Sequence, residues 1–186
     1  MQNAHFFGYG SLVHTGTHAY RDHHPARLGG WGRVWRHVPA HSAAVLSVEQ
    51  RHGCDIDGLI ARVPDGDWAA LDLREAHYTR HLVSDAVDNH PIGDAEIQVY
   101  SVPPANYGDG SAPILQSYLD VVVKGYLDVF GEAGAEAFFH STKGWNLPVR
   151  NDRAQPAYPR HQQLTPAERN LVDRLLTRAQ ATANSL

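Results

Sequence analysis

Cysteine is nearly missing from this chain: Cys54 is the only one in 186 residues. A single thiol excludes an intramolecular disulfide and a four-thiolate zinc site. It lies between Gly53 and Asp55, where an acidic neighbour disfavours the thiolate, so a thiol nucleophile is not expected. Positive charge is also scarce. Lys and Arg total 16 against 20 Asp and Glu, for a formal net charge of −4, and no Lys/Arg block occurs. Binding to a phosphate backbone calls for a basic face, so no nucleic-acid partner is expected. Long apolar runs are missing as well. No segment approaches the ~20 apolar residues of a membrane span, and residues 1–12 carry neither a positive n-region nor an apolar h-region. The expectation is no membrane association and a cytoplasmic, reducing compartment.

What remains is a globular composition, with 42% hydrophobic and 19% charged residues. The length suits one domain over residues 1–186, large enough for a real core. Thirteen histidines make the net charge sensitive to mild acid. Residues 3–7 read as a strand entering the turn Gly8-Tyr9-Gly10-Ser11. Residues 19–32, with His23-His24-Pro25 and Gly29-Gly30, read as irregular. Strands are expected at 34–37, 43–49, 58–63, 81–87 and 95–102. Asp67 is expected to cap a short helix opening at Trp68. The longest helix is expected over 112–130, on the period of Ile114, Leu115, Tyr118, Leu119, Val122, Tyr126 and Val129, and a shorter one over 132–139. Thr165-Pro166-Ala167-Glu168 is a capping box with Pro at the first helical position, followed by an apolar face at Leu171, Val172, Leu175, Leu176 and Ala179. Residues 142–163 read as a connecting loop, so that 141–186 form a loop-plus-helix extension. Strands first and helices later indicate an α+β fold, with a mixed or mostly antiparallel sheet or small barrel flanked by helices.

Two segments carry chemistry. A strand ending in Gly-x-Gly can aim several backbone amides into one concavity that holds a phosphate or a carboxylate. The turn at Tyr9, Gly10, Ser11 and Leu12 has this form, although a plain β-turn accounts for it equally well. Dinucleotide, P-loop and nucleophile-elbow spacings are not met. The second segment is 68–78. Trp68, Leu71, Glu75 and Tyr78 share one helical face, and Ala70, Leu73, Ala76 and His77 share another. If the first faces inward, burial among apolar neighbours raises the Glu75 pKa towards neutrality, where a carboxylate exchanges protons. The alternative is a surface glutamate paired with Arg74 or Arg80. His77 and His81 have an i,i+4 spacing, but nothing in the sequence completes a ligand set and no metal is expected. Residues 150–160 concentrate three arginines and Tyr158 in a loop that either lines a cleft or pins the last helix.

In order along the chain, Phe7-Gly8-Tyr9-Gly10-Ser11-Leu12, the 28–35 segment, the 58–63 segment, Leu71-Asp72-Leu73-Arg74-Glu75-Ala76-His77-Tyr78 and the 118–125 segment resemble the γ-glutamylcyclotransferase-like family. The likeness covers about residues 5–130. Residues 19–27 do not line up, and those after His140 follow no family pattern. The resemblance implies a γ-glutamyl small-molecule substrate that cyclises to 5-oxoproline and releases an amine or amino acid. It implies Glu75 as the acid/base, substrate contacts from Tyr9, Gly10, Ser11, Leu12 and Tyr118, and no metal or cofactor. A non-catalytic binding module on the same fold, or a pathway enzyme removing a γ-glutamyl protecting group, is the alternative.

Overall fold

The computed structural model of the protein describes residues 3–185. Met1, Gln2 and Leu186, which the expected single domain takes in, lie outside the described residues. The first half contains β1 (Ala4–Gly8), β2 (His24–Arg36), β3 (Val45–Arg62), α1 (Ala69–Arg74), β4 (Thr79–Leu82), β5 (Val87–Asp88) and β6 (Glu96–Ser101). The second half contains β7 (Ile114–Leu115), α2 (Gln116–Ser141), β8 (Thr142–Lys143), β9 (Val149–Arg150) and α3 (Pro166–Ala183). Among the described residues these strands form a seven-stranded sheet in the order β4-β6-β1-β3-β2-β5, with β8 added beside β2. The β1–β6 and β2–β8 pairs are parallel and the others antiparallel. A separate parallel pair joins β7 to β9. This is the expected α+β architecture, a curled mixed sheet flanked by helices.

The long β2–β3 hairpin corrects the sequence reading most. Residues 24–32 are strand rather than irregular. Ala26 and Leu28 are buried while Pro25 and Arg27 are exposed, a period of two that the Pro and paired Gly residues obscure. The ladder slips between Gly29 and Trp31, and the residue between them, Gly30, has φ 75°. Such a bulge bends and twists the hairpin, and a positive φ there favours glycine. β3 runs unbroken through both stretches expected as separate strands, because Gln50 and residues 55–57 between them pair by backbone with β2 while 51–54 bulge out opposite Gly30. The stretch 81–87 is split into β4, a 3-10 turn at Ser84–Ala86, and β5. The long helix starts at Gln116 rather than 112, since Ile114 and Leu115 are drawn into β7. It is interrupted at Gly131 (φ 70°), separating the two helical stretches that periodicity predicts. α3 has its capping box: Glu168 N–H donates to Thr165 Oγ1 (3.3 Å) and Thr165 N–H to Glu168 Oε2 (2.6 Å). No helix among the described residues is long and apolar enough to cross a membrane.

β1 is buried along its whole length between β3 and β6, and its alternation feeds two cores. Phe7 joins Leu28, Trp35, Leu59, Val122, Tyr126 and Leu175 under α2 and α3. Ala4 and Phe6 face the other way, towards Trp68, Leu71 and Tyr100. Arg33, 1% exposed, ties these elements together from within the first core. Its Nε donates to Tyr9 O (3.2 Å), Nη1 to Ser141 Oγ (2.9 Å), and Nη2 to Asp57 O and the Tyr126 hydroxyl. The guanidinium also lies over the rings of Tyr126 and Phe138, at 5.0 and 5.4 Å from their centroids. Removing it leaves the Tyr9 and Asp57 carbonyls to share the single Tyr126 hydroxyl proton, so that one of them goes unpaired at a cost in free energy. Arg33→Met is therefore expected to lower unfolding stability by ~3 kcal/mol in urea titration, and Arg33→Lys, lacking the planar fork, to recover little of it.

Candidate functional site

β1 ends at Gly8, and the chain turns through Tyr9 and Gly10 into a 3-10 turn at Ser11–Val13. Val13 N–H returns to Gly10 O (3.0 Å) and His14 N–H to Ser11 O (3.2 Å). The amides that head such a turn have no carbonyl within it to receive them. The carbonyl side of the turn is held separately. His18 Nε2–H donates to Leu12 O (3.1 Å), and burial lowers that imidazole's pKa to about 4, which keeps it neutral. Gly10 is required by its surroundings. A Cβ there would meet the Tyr118 hydroxyl at 2.8 Å and Leu46 Cδ2 at 3.3 Å.

Glu75 reaches this turn by a route the helical pattern does not describe. α1 stops at Arg74, and Glu75 is its C-cap, with φ −103° and ψ 32°. Asp67 Oδ1 accepts from Ala69 N–H (3.0 Å), while Trp68 holds the N-cap position itself. Tyr78 is thus beyond the helix and not on its face. It still turns inward, because Tyr78 N–H bonds Glu75 O (2.8 Å) in a further turn and its hydroxyl donates to Leu46 O (3.0 Å). Of the two candidate faces, Trp68 and Leu71 are buried, whereas Ala70, Leu73, Ala76 and His77 are exposed.

The Glu75 side chain keeps 18% exposure and pairs with Arg74 Nε at 3.3 Å. Burial raises its pKa, and the charges of Arg74 and Arg160 oppose that rise. Both sequence readings of Glu75 thus hold in part: it is ion-paired, and it is desolvated. Arg74 is fully engaged, since Nη1 donates to Thr17 O (3.0 Å) and Nη2 to Ser11 Oγ (3.3 Å). Arg80, the other partner considered, binds Asp72 instead at 2.8 Å.

The turn and Glu75 wall a cavity of about 40 Å³, completed by Leu46, Tyr78, Tyr100 and Tyr118. A cleft of about 330 Å³ adjoins it, sharing Ser11, Leu46, Glu75, Tyr78 and Tyr118 and adding residues 41–45, Arg74, Tyr158 and Arg160. The structure thus gathers Gly10, Ser11, Tyr118 and Glu75 around one hollow. Tyr9 and Leu12 line its inner part chiefly as packing: the Tyr9 hydroxyl donates to Tyr100 O (2.8 Å), and Leu12 sits in the second core. Burial raises the pKa of Tyr118, with Tyr158 and Glu75 adding to the rise, so its hydroxyl stays protonated. Two larger hollows, of about 580 and 600 Å³, lie beside Arg27, Asp57 and Glu136 and beside Trp145 and Leu175, and neither includes the Gly10 turn or Glu75. His77 and His81 do not converge on a common point: His77 packs edge-on against His41, and His81 packs on Trp31 and bonds Ser101 Oγ (2.9 Å).

Sequence reasoning passed over Leu46 and Tyr78 as lining groups. It left the 150–160 loop between two roles, and the loop has both. Arg153 pins the helices, pairing with Asp120 (2.7 Å) on α2 and Asp173 (2.9 Å) on α3. Tyr158 lines the cleft: its hydroxyl donates to Ser11 Oγ (2.9 Å) and its ring meets Tyr118 edge-on at 4.9 Å. The buried Asp152 fixes the loop by accepting from Ser117 N–H (2.8 Å), Ser117 Oγ–H (2.6 Å) and Ala157 N–H (2.9 Å), bonds that hold its carboxyl below the usual carboxylate range.

A curled mixed sheet flanked by helices is the architecture of the γ-glutamyl cyclotransferase fold, and this chain has that fold. A solved γ-glutamyl cyclotransferase superposes with a TM-score of 0.60 at 14% identity, over 92% of this chain and 98% of its own. An uncharacterized protein from Homo sapiens gives 0.60 at 15% identity, over 91% and 98%. YkqA from Bacillus subtilis gives 0.62 at 18% identity, over 79% of this chain and 56% of its own. No protein-family model and no curated protein matches the chain in sequence.

The Gly10–Tyr118 contact yields a double-mutant test. Gly10→Ala is expected to destabilise by forcing the Tyr118 hydroxyl away, and to cost about 1 kcal/mol less in a Tyr118→Phe background, where that oxygen is gone. Thermal or urea unfolding of the four proteins measures the coupling; strictly additive effects would contradict the close approach.

Proposed function

We propose that this chain is a γ-glutamylcyclotransferase that converts a γ-glutamyl compound to 5-oxoproline and a free amine or amino acid. The observation that carries this reading is the presence of Glu75 and the Gly10 turn on the same cavity wall. A γ-glutamyl group brings an α-carboxylate, an α-ammonium and a γ-amide. Backbone amides of the turn suit the carboxylate without needing a cationic side chain. Glu75 takes a proton from the ammonium, and the amine so formed attacks the γ-carbonyl carbon. The new C–N bond closes the lactam ring, and Glu75 returns the proton to the leaving nitrogen as the bond to it breaks. The freed carboxylate then takes the surplus proton from the ring nitrogen and passes it to the released amine, which departs as an ammonium. One carboxylate therefore serves as base and then as acid.

The opposed influences on Glu75 suit this exchange: burial raises its pKa, and the charges of Arg74 and Arg160 limit that rise. Tyr118, held protonated, offers a hydrogen bond that orients the substrate. Folding the chain so that amine and carbonyl meet removes part of the entropic barrier. The fold shared with a solved γ-glutamyl cyclotransferase supports the reading.

Glu75→Gln keeps the shape and removes the proton exchange, so 5-oxoproline release is expected to fall by about 10²-fold or more while the unfolding midpoint changes little. The base form is the one required at the outset. Because the folded pKa of Glu75 is raised, kcat/KM is expected to fall with decreasing pH along a limb lying above the ordinary glutamate value. Near wild-type turnover by Glu75→Gln would remove the proposed role.

A further inference from the structure

The cleft outside the cavity has an electrostatic feature that the cyclisation chemistry does not use. It carries two arginines and one carboxylate, Arg74, Arg160 and Glu75. Arg74 is committed on all sides, to Glu75, Thr17 O and Ser11 Oγ. Arg160 is different. Among the described residues its guanidinium forms no ion pair and donates no hydrogen bond, although it lines the cleft and its positive charge is felt at Glu75.

The position of Arg160 is nonetheless well defined. It follows a segment fastened by Asp152 to the start of α2, by Arg153 to α2 and α3, and by the Tyr158 hydroxyl to Ser11. Tyr158 N–H also donates to Ser117 Oγ (3.2 Å), one residue before Tyr118. The loop therefore presents a cation at the rim of the cleft from a rigid base, on the same cleft as the turn and the carboxylate.

We propose that Arg160 is the specificity-determining residue for the leaving group, and that it binds a carboxylate on the released amine. This rests on the cyclotransferase reading. With the glutamyl α-carboxylate at the Gly10 turn and its ammonium at Glu75, the substituent on the γ-nitrogen extends from the small cavity into the outer cleft. A leaving α-amino acid or peptide carries an anion there, and a simple alkylamine carries none. The substrate class is accordingly γ-glutamyl amino acids or peptides rather than γ-glutamyl alkylamines. The 152–160 loop, which lies outside the stretch that resembles the family, then supplies the discrimination.

Two substrates that differ only by this carboxylate test the idea: γ-glutamyl-alanine and γ-glutamyl-ethylamine. The wild-type protein is expected to favour the first in kcat/KM by about tenfold, as one charge-assisted hydrogen bond provides, and Arg160→Gln to bring the ratio close to one. Using the ratio cancels any general change in Glu75 acidity caused by removing a nearby cation. Arg160 is exposed and makes no internal bond, so the variant is expected to fold, which its unfolding midpoint checks. Turnover of both substrates with no preference, or an equal loss on both in Arg160→Gln, overturns this proposal and leaves the cyclotransferase reading intact. An equal loss would place Arg160 at the glutamyl carboxylate instead. Failure of the wild-type protein to release 5-oxoproline from either substrate overturns both.

Discussion

A guanidinium buried without a carboxylate beside it is the constraint on which the rest of this structure depends. Removing such a charge from water is costly, and Arg33 is compensated by carbonyl oxygens, hydroxyls and the faces of two aromatic rings. Those partners come from parts of the chain far apart in sequence. Tyr9 follows β1, Asp57 is in β3, and Tyr126 and Ser141 are in α2. The Tyr126 hydroxyl sits within reach of the same two carbonyls, at 3.0 Å from Tyr9 O and 2.8 Å from Asp57 O. Satisfying one buried cation thus fixes where β1 ends and how α2 lies across the sheet. The first sets the Gly10 turn, and the second brings Tyr118 against it.

The candidate site inherits this placement and adds a balance of its own. Glu75 is pulled one way by loss of water and the other by two arginines, of which only Arg74 touches it. Around it the hydroxyls of Tyr78 and Tyr158 are already bonded to Leu46 O and Ser11 Oγ, and burial raises the pKa of Tyr118, which keeps its hydroxyl a donor. The 152–160 loop closes the outer side, its position set by its own carboxylate, Asp152, which accepts from Ser117 at the start of α2 and from Ala157. The outer cleft therefore draws on distant regions, among them the turn after β1, β3 at Leu46, the C-cap of α1, α2 at Tyr118, and a loop more than 75 residues beyond Glu75.

How much of this was legible in the sequence varied with the range of the forces involved. Local signals read well: the Thr165–Glu168 capping box, the helix break at Gly131, and the strand before the Gly10 turn are decided by residues within a few positions. The β2–β3 hairpin read poorly. Residues 50–55 carry no apolar period, and only Gln50 and Asp55 at their two ends pair by backbone with β2, so nothing local marks the stretch as one strand. The inward placement of Glu75 was expected through a helical face that ends one residue too soon; the cap turn, and not the helix, aims its side chain inward. The encounter of Tyr158 with Ser11, and of Arg160 with the same cleft, depends on tertiary closure across about 150 residues, which no local pattern encodes.

The central claim is that the Gly10 turn and Glu75 act on one γ-glutamyl group. A crystal structure of the protein with 5-oxoproline, the compact product of the proposed reaction, tests it most directly. The account predicts the product carboxylate against the backbone amides of Gly10, Ser11 and Leu12, with the lactam nitrogen turned towards Glu75. Product bound elsewhere, in the hollow beside Arg27 and Glu136 for instance, or oriented with its carboxylate away from the turn, would contradict it.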